Sequence, residues 1–351
     1  MIEVPPERHA RLQHSDRLPL FQMIAKNVGI RRARAPFVVA TNVDVLFDDA
    51  LMAELASRSL RPGTVYRADR HDTDANLDPF APVDELLTDS LAGVIRICRM
   101  DGTYDVRTGE YFRIYGPLTN LPGPLARWSR LVSFALPLAG AYGRAAVHRS
   151  RSRLRRWHLA RKGRGPGPHS LFAGIDPGQV LKVARETLAS LVRAVAEQNR
   201  LLGEIWLHEK ARVRVHSNAC GDFTLLARTD WERVGGYAEL EMFSLHLDSL
   251  LLYEAHYAGL RQQTLPGAVY HLEHGMGFKP DVESLRTLTK RIESAAIPQV
   301  SNELFIEWVV RMYQQRAPMR LNTAAWGFAG ETFTETDPYA SPSTQLRRVA
   351  E

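Results

Sequence analysis

Ala35 to Asp49 reads Ala-Pro-Phe-Val-Val-Ala-Thr-Asn-Val-Asp-Val-Leu-Phe-Asp-Asp. Phe37 to Ala40 is a short continuous apolar run, the pattern of a strand buried on both faces of a parallel sheet. It ends in Thr41-Asn42-Val43-Asp44, so polar side chains gather at the carboxyl end of the strand, the edge where open α/β sheets bind ligands. A carboxylate there, with a second oxygen ligand two residues earlier, suits Mg²⁺ or Mn²⁺ and the phosphates such an ion carries. The same residues also suit a plain strand end that caps a helix over 49–59. Both readings stay open on these residues alone.

Working outward, the pattern alternates between strands and helices. Ile2 to Pro6 predicts a short strand and Leu18 to Arg34 a helix, with Leu20, Phe21, Ile24, Val28 and Ile30 on one broad face. Asn27 and Gly29 weaken that helix and point to close packing or a ligand beside it. Val65 to Ala68 predicts a strand, and residues 69–82, rich in Asp and Pro, a polar loop at the ligand edge. Val94–Arg99 and Tyr111–Tyr115 predict paired strands. Further on, Gly221 to Ala227 predicts a strand, and Thr229 caps a short helix stopped at Gly235-Gly236-Tyr237. Leu245–Tyr257 predicts a helix and Val269–His274 a strand. Val282–Arg316 predicts helix, followed by a loose tail over 338–351.

The chain has 351 residues and a net charge of +6, but that charge is local. Twelve of the 45 Lys and Arg fall between Tyr111 and Ile175, where there is no Asp or Glu, leaving 33 basic against 39 acidic residues elsewhere. Residues 117–168 read as an insertion, with an apolar stretch (Trp128, Leu131, Val132, Phe134, Leu136, Leu138) followed by the basic run Arg144–Arg164. That composition suits an anionic membrane surface better than nucleic acid, which usually interleaves aromatics with its cations. A long helix is expected over Pro177–Leu202. Two cysteines are too few for a disulfide framework and imply buried thiols in a reducing compartment. No run approaches 18 apolar residues, and the first residues lack the pattern of a signal peptide. The location implied is cytoplasmic, peripheral on the inner face of the membrane.

Three segments, in order, resemble the inverting GT-A glycosyltransferases, specifically the family 2-like group, with a C-terminal half similar to the β-1,4-galactosyltransferase type. They are Ala25-Lys26-Asn27-Val28-Gly29 followed by Asn42-Val43-Asp44; Gly221-Asp222-Phe223 through Trp231 to Tyr237 with Asp248 on the next helix; and Tyr270-His271-Leu272-Glu273-His274. The resemblance implies an α/β fold, a GT-A-like (Rossmann-like) mixed sheet flanked by helices, formed by residues 1–116 and 169–337 around the insertion. It starts past the family's first strand–loop–helix unit, so the nucleotide-base pocket is not accounted for.

The implied activity is metal-dependent, inverting transfer of a sugar from a nucleotide-sugar donor to a glycan or lipid-linked acceptor of the cell envelope. The alternative is a catalytically degenerate GT-A-like binding or assembly protein. The resemblance assigns Asp248 as catalytic base and Asn27, Asn42 and Asp44 to the donor. It assigns Asp222, Trp231, Gly236 and Tyr237 to the acceptor, and Asp44 with His271 or His274 to Mn²⁺ or Mg²⁺. At position 42 an Asn stands where the family motif has Asp, which removes one negative charge.

Overall fold

A computed structural model describes residues 1–74, 77–78, 80–113, 215–273 and 282–337. The insertion 117–168, the helix expected over 177–202, His274 and the tail after 338 lie outside these residues. By contacts the chain divides into one unit of Met1–Tyr115 with Lys210–Glu351 and a second of Gly116–Glu209. The described residues all belong to the first, a mixed α/β unit whose main sheet is largely antiparallel.

Strand β4 (Thr64–Thr73) is the spine of that sheet. Along one edge it pairs in parallel with β9 (Arg261–Leu272), from Thr64↔Arg261 to Thr73↔Leu272. It also pairs with β8 (Phe223–Ala227) at Tyr66 and with β5 (Val94–Arg99) from Arg70 to Thr73, both antiparallel. Strand β2 (Phe37–Thr41) lies beyond β8, and the short β3 (Val45–Phe47) lies beyond β9. Strands β6 (Gly102–Asp105) and β7 (Tyr111–Arg113) extend β5 as a meander, so Tyr111 pairs with β6 rather than with β5. Strand β1 (Ile2–Glu3) pairs separately with β10 (Thr334–Glu335).

Two expectations are corrected here. The run Phe37–Ala40 is not a doubly covered parallel strand. It pairs antiparallel with β8, Ala40 is its one buried residue, and Val39 is 36% exposed. A run this short does not encode which of its faces will be covered. The polar segment 69–73 is not loop either, because it continues β4. Arg70 and Asp72 are tolerated there because they pair with each other and with residues of neighbouring elements, as described below.

The register between β4 and β9 is set by a bulge. Arg67 opposes Thr264 but Asp69 opposes Ala268, so β9 carries extra residues around Pro266-Gly267. Helix α3 (Asp49–Ala56) starts against this bulge. Asp48 caps it, Oδ1 accepting from the Leu51 N–H and Oδ2 from the Ala268 N–H, both at 2.8 Å. Leu51, Tyr66, Ala68, Phe223, Leu225, Leu265 and Val269 form the core between α3 and the sheet.

The remaining described helices are α1 (Pro6–Ala10), α2 (Gln22–Arg32), α4 (Val83–Ala92), α5 (Arg228–Val234), α6 (Leu247–Tyr257), α7 (Val282–Ser294) and α8 (Asn302–Gln315). The helical stretch expected over 282–316 is formed by two helices, α7 and α8. Helix α6 is apolar nearly all round and is correspondingly buried, with Leu247, Leu250, Leu251, Leu252, Tyr253 and Ala255 in the core. Cys98 and Cys220 are free and buried. No helix among the described residues is long and apolar enough to cross a membrane.

Helix α6 also buries Glu254, which is 3% exposed and accepts hydrogen bonds from the Arg320 and Leu321 backbone. Burial raises its pKa to about 7 against those bonds. The folded protein thus keeps the proton between pH 4.5 and 7, where the unfolded chain has released it, so stability should fall as pH rises across that window. Glu254→Gln should flatten this part of a urea-midpoint-versus-pH curve and be the more stable protein at pH 8. A wild-type midpoint that rises between pH 5 and 7 while the variant's does not would contradict the assignment.

Candidate functional site

Three strands bring one row of side chains together. Arg96 on β5, Asp72 on β4 and His271 on β9 are successive register partners, and His271 is in turn paired with Val45, the residue after Asp44. The polar groups therefore meet because strand pairing sets them side by side. Asp72 is completely buried and ionised among cations: Arg96 Nε lies 2.7 Å from Oδ2, with Arg70 Nε at 2.9 Å and His271 Nδ1 at 3.1 Å from Oδ1. Burial would raise its pKa, but the His271 hydrogen bond and the two guanidinium groups bring it down to about 2. Arg96 also binds Glu273, just past the end of β9.

His271 presents its other nitrogen, Nε2, to Asp44 Oδ2 at 3.4 Å. Burial disfavours its imidazolium, yet the hydrogen bond to Asp72 prevails and raises the pKa above the ordinary value. Ionised Asp72 can only accept, so Nδ1 carries a proton and Nε2 is the nitrogen with a lone pair when the ring is neutral.

From Asp72 the chain of contacts returns to the same loop by a second route. Arg70 Nη1 reaches Asp222 Oδ2 at 2.6 Å, and Asp222 Oδ1 accepts from Asn42 Nδ2 at 2.5 Å. Asn42 and Asp44 are thus gripped from opposite ends of one polar circuit, Asn42–Asp222–Arg70–Asp72–His271–Asp44. Between them Val43 is fully exposed, which marks the open tip of the loop.

Lys26, on α2, stands beside this loop. Its ammonium donates to Asn42 Oδ1 at 2.7 Å and to the Gly221 carbonyl at 2.6 Å, which uses two of its three N–H groups. Burial lowers its pKa, partly opposed by Asp248, Asp222 and Asp44. Asp248, in the first turn of α6, is half-buried and packs against Gly221, where an added Cβ would sit 3.2 Å from its Oδ2. Its Oδ1 accepts from the Ser249 N–H at 2.7 Å.

The structure therefore brings Asn42, Asp44, Asp222, Asp248 and His271 into one region and sets four expected site residues apart. Asn27 is fully buried. Its amide donates to the Tyr237 carbonyl and Glu239 Oε1 and accepts from the Tyr237 N–H, so no polar atom is left to meet a donor. Trp231 and Tyr237 are 0% exposed and pack on each other at 5.3 Å, with the Trp231 indole donating to the Val38 carbonyl. Neither can form an acceptor wall.

Gly236 serves the same packing. At φ +73° an added Cβ would lie 2.6 Å from Asn27 Oδ1 and 2.8 Å from the Trp326 ring. Gly236→Ala should accordingly cost about 2 kcal/mol or more, through backbone strain and overpacking together. A chemical-denaturation shift under about 0.5 kcal/mol would show that the turn simply moves.

Lys26, Arg96 and Glu273 were given no site role from sequence, and Arg70 and Asp72 were read only as part of a polar loop at the ligand edge, with Asp69, His71 and Asp74, that could meet substrate. The available signal was period two continuing past Ala68, which puts Arg70 and Asp72 on one face and Asp69 and His71 on the other. Asp44 and His271 fit a divalent cation in their chemistry, a carboxylate facing an imidazole whose other nitrogen is held by a second carboxylate. No group of three or more His, Cys, Asp or Glu that could hold a metal occurs among the described residues. A hard cation here would take its remaining ligands from water and substrate oxygens, which is usual for Mg²⁺. Comparison with protein-family models, curated proteins and solved structures finds no significant match.

Proposed function

We propose that the chain is a metal-dependent, inverting glycosyltransferase that moves a sugar from a nucleotide-sugar donor to a glycan or lipid-linked acceptor. The observation that carries this reading is the meeting of Asp44 and His271 at 3.4 Å, on a loop gripped from both ends and flanked by Lys26 and Asp248. In this reading Asp44 and His271 hold Mn²⁺ or Mg²⁺, which when bound offsets the charge developing on the leaving diphosphate. Lys26 adds a fixed positive charge, and its third N–H is the one offered to a phosphate oxygen. Asp248 takes the proton of the acceptor hydroxyl as its oxygen bonds to the anomeric carbon and the bond from that carbon to the phosphate oxygen breaks. Asn42 and Asp222 act indirectly, since each spends its polar atoms holding the loop.

That saturation of Asn42 favours a second reading, a GT-A-like binding or assembly protein without turnover. Calorimetric titration with Mn²⁺, then with a panel of nucleotide sugars, separates them. The proposal expects donor binding that needs Mn²⁺, with Asp44→Ala weakening Mn²⁺ affinity at least about tenfold. Mn²⁺ binding unchanged by Asp44→Ala would overturn the metal site. Donor binding without any transfer to water or acceptor would favour the second reading.

A further inference from the structure

Arg67 precedes Arg70 and Asp72 on β4, is 0% exposed, and spends its guanidinium on one loop. Its Nε donates to the His216 carbonyl at 2.9 Å and its Nη2 to the Asn218 carbonyl at 3.0 Å. Its Nη1 donates to the Cys220 carbonyl at 3.4 Å and to Thr224 Oγ1 at 3.3 Å. A buried charge is costly unless its donors are matched, and here one planar fork meets the carbonyls of 216, 218 and 220. The fork brackets Ala219, which stands at φ +50°, a left-handed conformation that strains any residue with a Cβ. Arg67 therefore holds a turn that the local backbone disfavours.

The same turn serves the candidate site. The Gly221 carbonyl accepts from Lys26, and Asp222 binds Asn42 and Arg70. Cys220, 1% exposed, hydrogen-bonds the Asp248 side chain and lies 3.7 Å from Ser249 Oγ. Burial first, and Asp248 second, push its pKa up, so the thiol stays protonated and is the donor to the carboxylate. Asp248 thus has two donors, the Ser249 N–H and the Cys220 S–H.

We propose that Arg67 and Cys220 are positioning residues for Asp248: Arg67 fixes the turn, and the Cys220 thiol aims the carboxylate at the acceptor hydroxyl. The proposal rests on the reading of Asp248 as the base. A thiol is a weak donor, so it orients the carboxylate while leaving it free to take a proton.

Cys220→Ala and Cys220→Ser in the full chain test it, the first removing the donor and the second replacing it with a hydroxyl. Cys220→Ala is expected to lower turnover about tenfold or more, with Mn²⁺ and donor affinity within about twofold of wild type. Cys220→Ser should recover most of that loss, which a mere packing role would not allow. The S–H stretch gives a readout that needs no turnover, since the Raman difference between wild type and Cys220→Ala isolates the Cys220 band. Asp248→Asn should move that band to higher frequency, because an amide oxygen accepts more weakly than a carboxylate. Arg67→Lys keeps a cation but loses the fork and should move the band the same way, the Cys220 variants carrying the test alone should it fail to fold. An active wild type whose turnover is untouched by Cys220→Ala, a loss that Ser does not recover, or a band unmoved by Asp248→Asn would each overturn the positioning role and leave Asp248 as the base. A wild type that transfers sugar from no donor would overturn that reading, and the proposal with it.

Discussion

Asp72→Ala is expected to destabilise the protein by about 3–5 kcal/mol, among the largest losses open to a single substitution. The physical reason is asymmetry. The intact cluster of Asp72 with Arg70, Arg96 and His271 nearly balances desolvation against attraction, whereas removing its one central anion leaves buried cations facing each other. Because typical domain stability is only about 5–15 kcal/mol, the variant should be largely unfolded near 37 °C or recovered with a sharply lower urea midpoint. Asp72→Asn keeps the volume but not the charge and should fall between the two. If Asp72→Ala costs under about 1 kcal/mol by urea titration, the cluster does not hold the sheet in register. Arg96→Met, which removes a cation and leaves Asp72 still paired with Arg70 and His271, should cost visibly less than Asp72→Ala.

Asp248→Asn tests the chemistry rather than the frame. On the proposed mechanism the amide keeps the shape of the carboxylate but cannot take the acceptor proton at neutral pH. Turnover should fall by about 10²-fold or more while donor and Mn²⁺ affinity stay within about twofold. The structure suits such a clean separation because Asp248 Oδ1 is held by the Ser249 N–H, a bond the amide oxygen of Asn can also accept. Equal losses in donor binding and turnover would make Asp248 a support for Lys26 and the Gly221 loop instead. Turnover unchanged by the substitution would remove it from the proton transfer altogether.

How much of this was legible beforehand differs from residue to residue. The strand ending at Asn42-Val43-Asp44, the helix capped at Asp48, the short helix stopped at Gly235-Gly236 and the strand carrying His271 all follow from local rules of apolar pattern, capping and glycine stops. Asp44 and His271 were paired by the order of motifs along the chain, and they do lie against each other in space. Asn27, Trp231 and Tyr237 were set near ligands by the same order of motifs, and in the structure they are buried against one another. An amide and two aromatic rings read the same in sequence whether they face a cleft or one another.

What local patterning determines here is element type: where strands stop, where helices begin, and that a carboxylate stands in the turn after β2. Which strands become neighbours was decided only by tertiary structure. The bulge at Pro266-Gly267 shifts β9 against β4, and the shifted register is what aligns His271 with Asp72 and Arg96. A strand's own sequence records which residues alternate, not which partner stands opposite each one, because that choice is made by burying β9 between β3 and β4 and seating α3 on the bulge. Asp72 in isolation is an ordinary polar residue in an acidic stretch. It becomes the centre of the site only when three separate strands bring their charges to it.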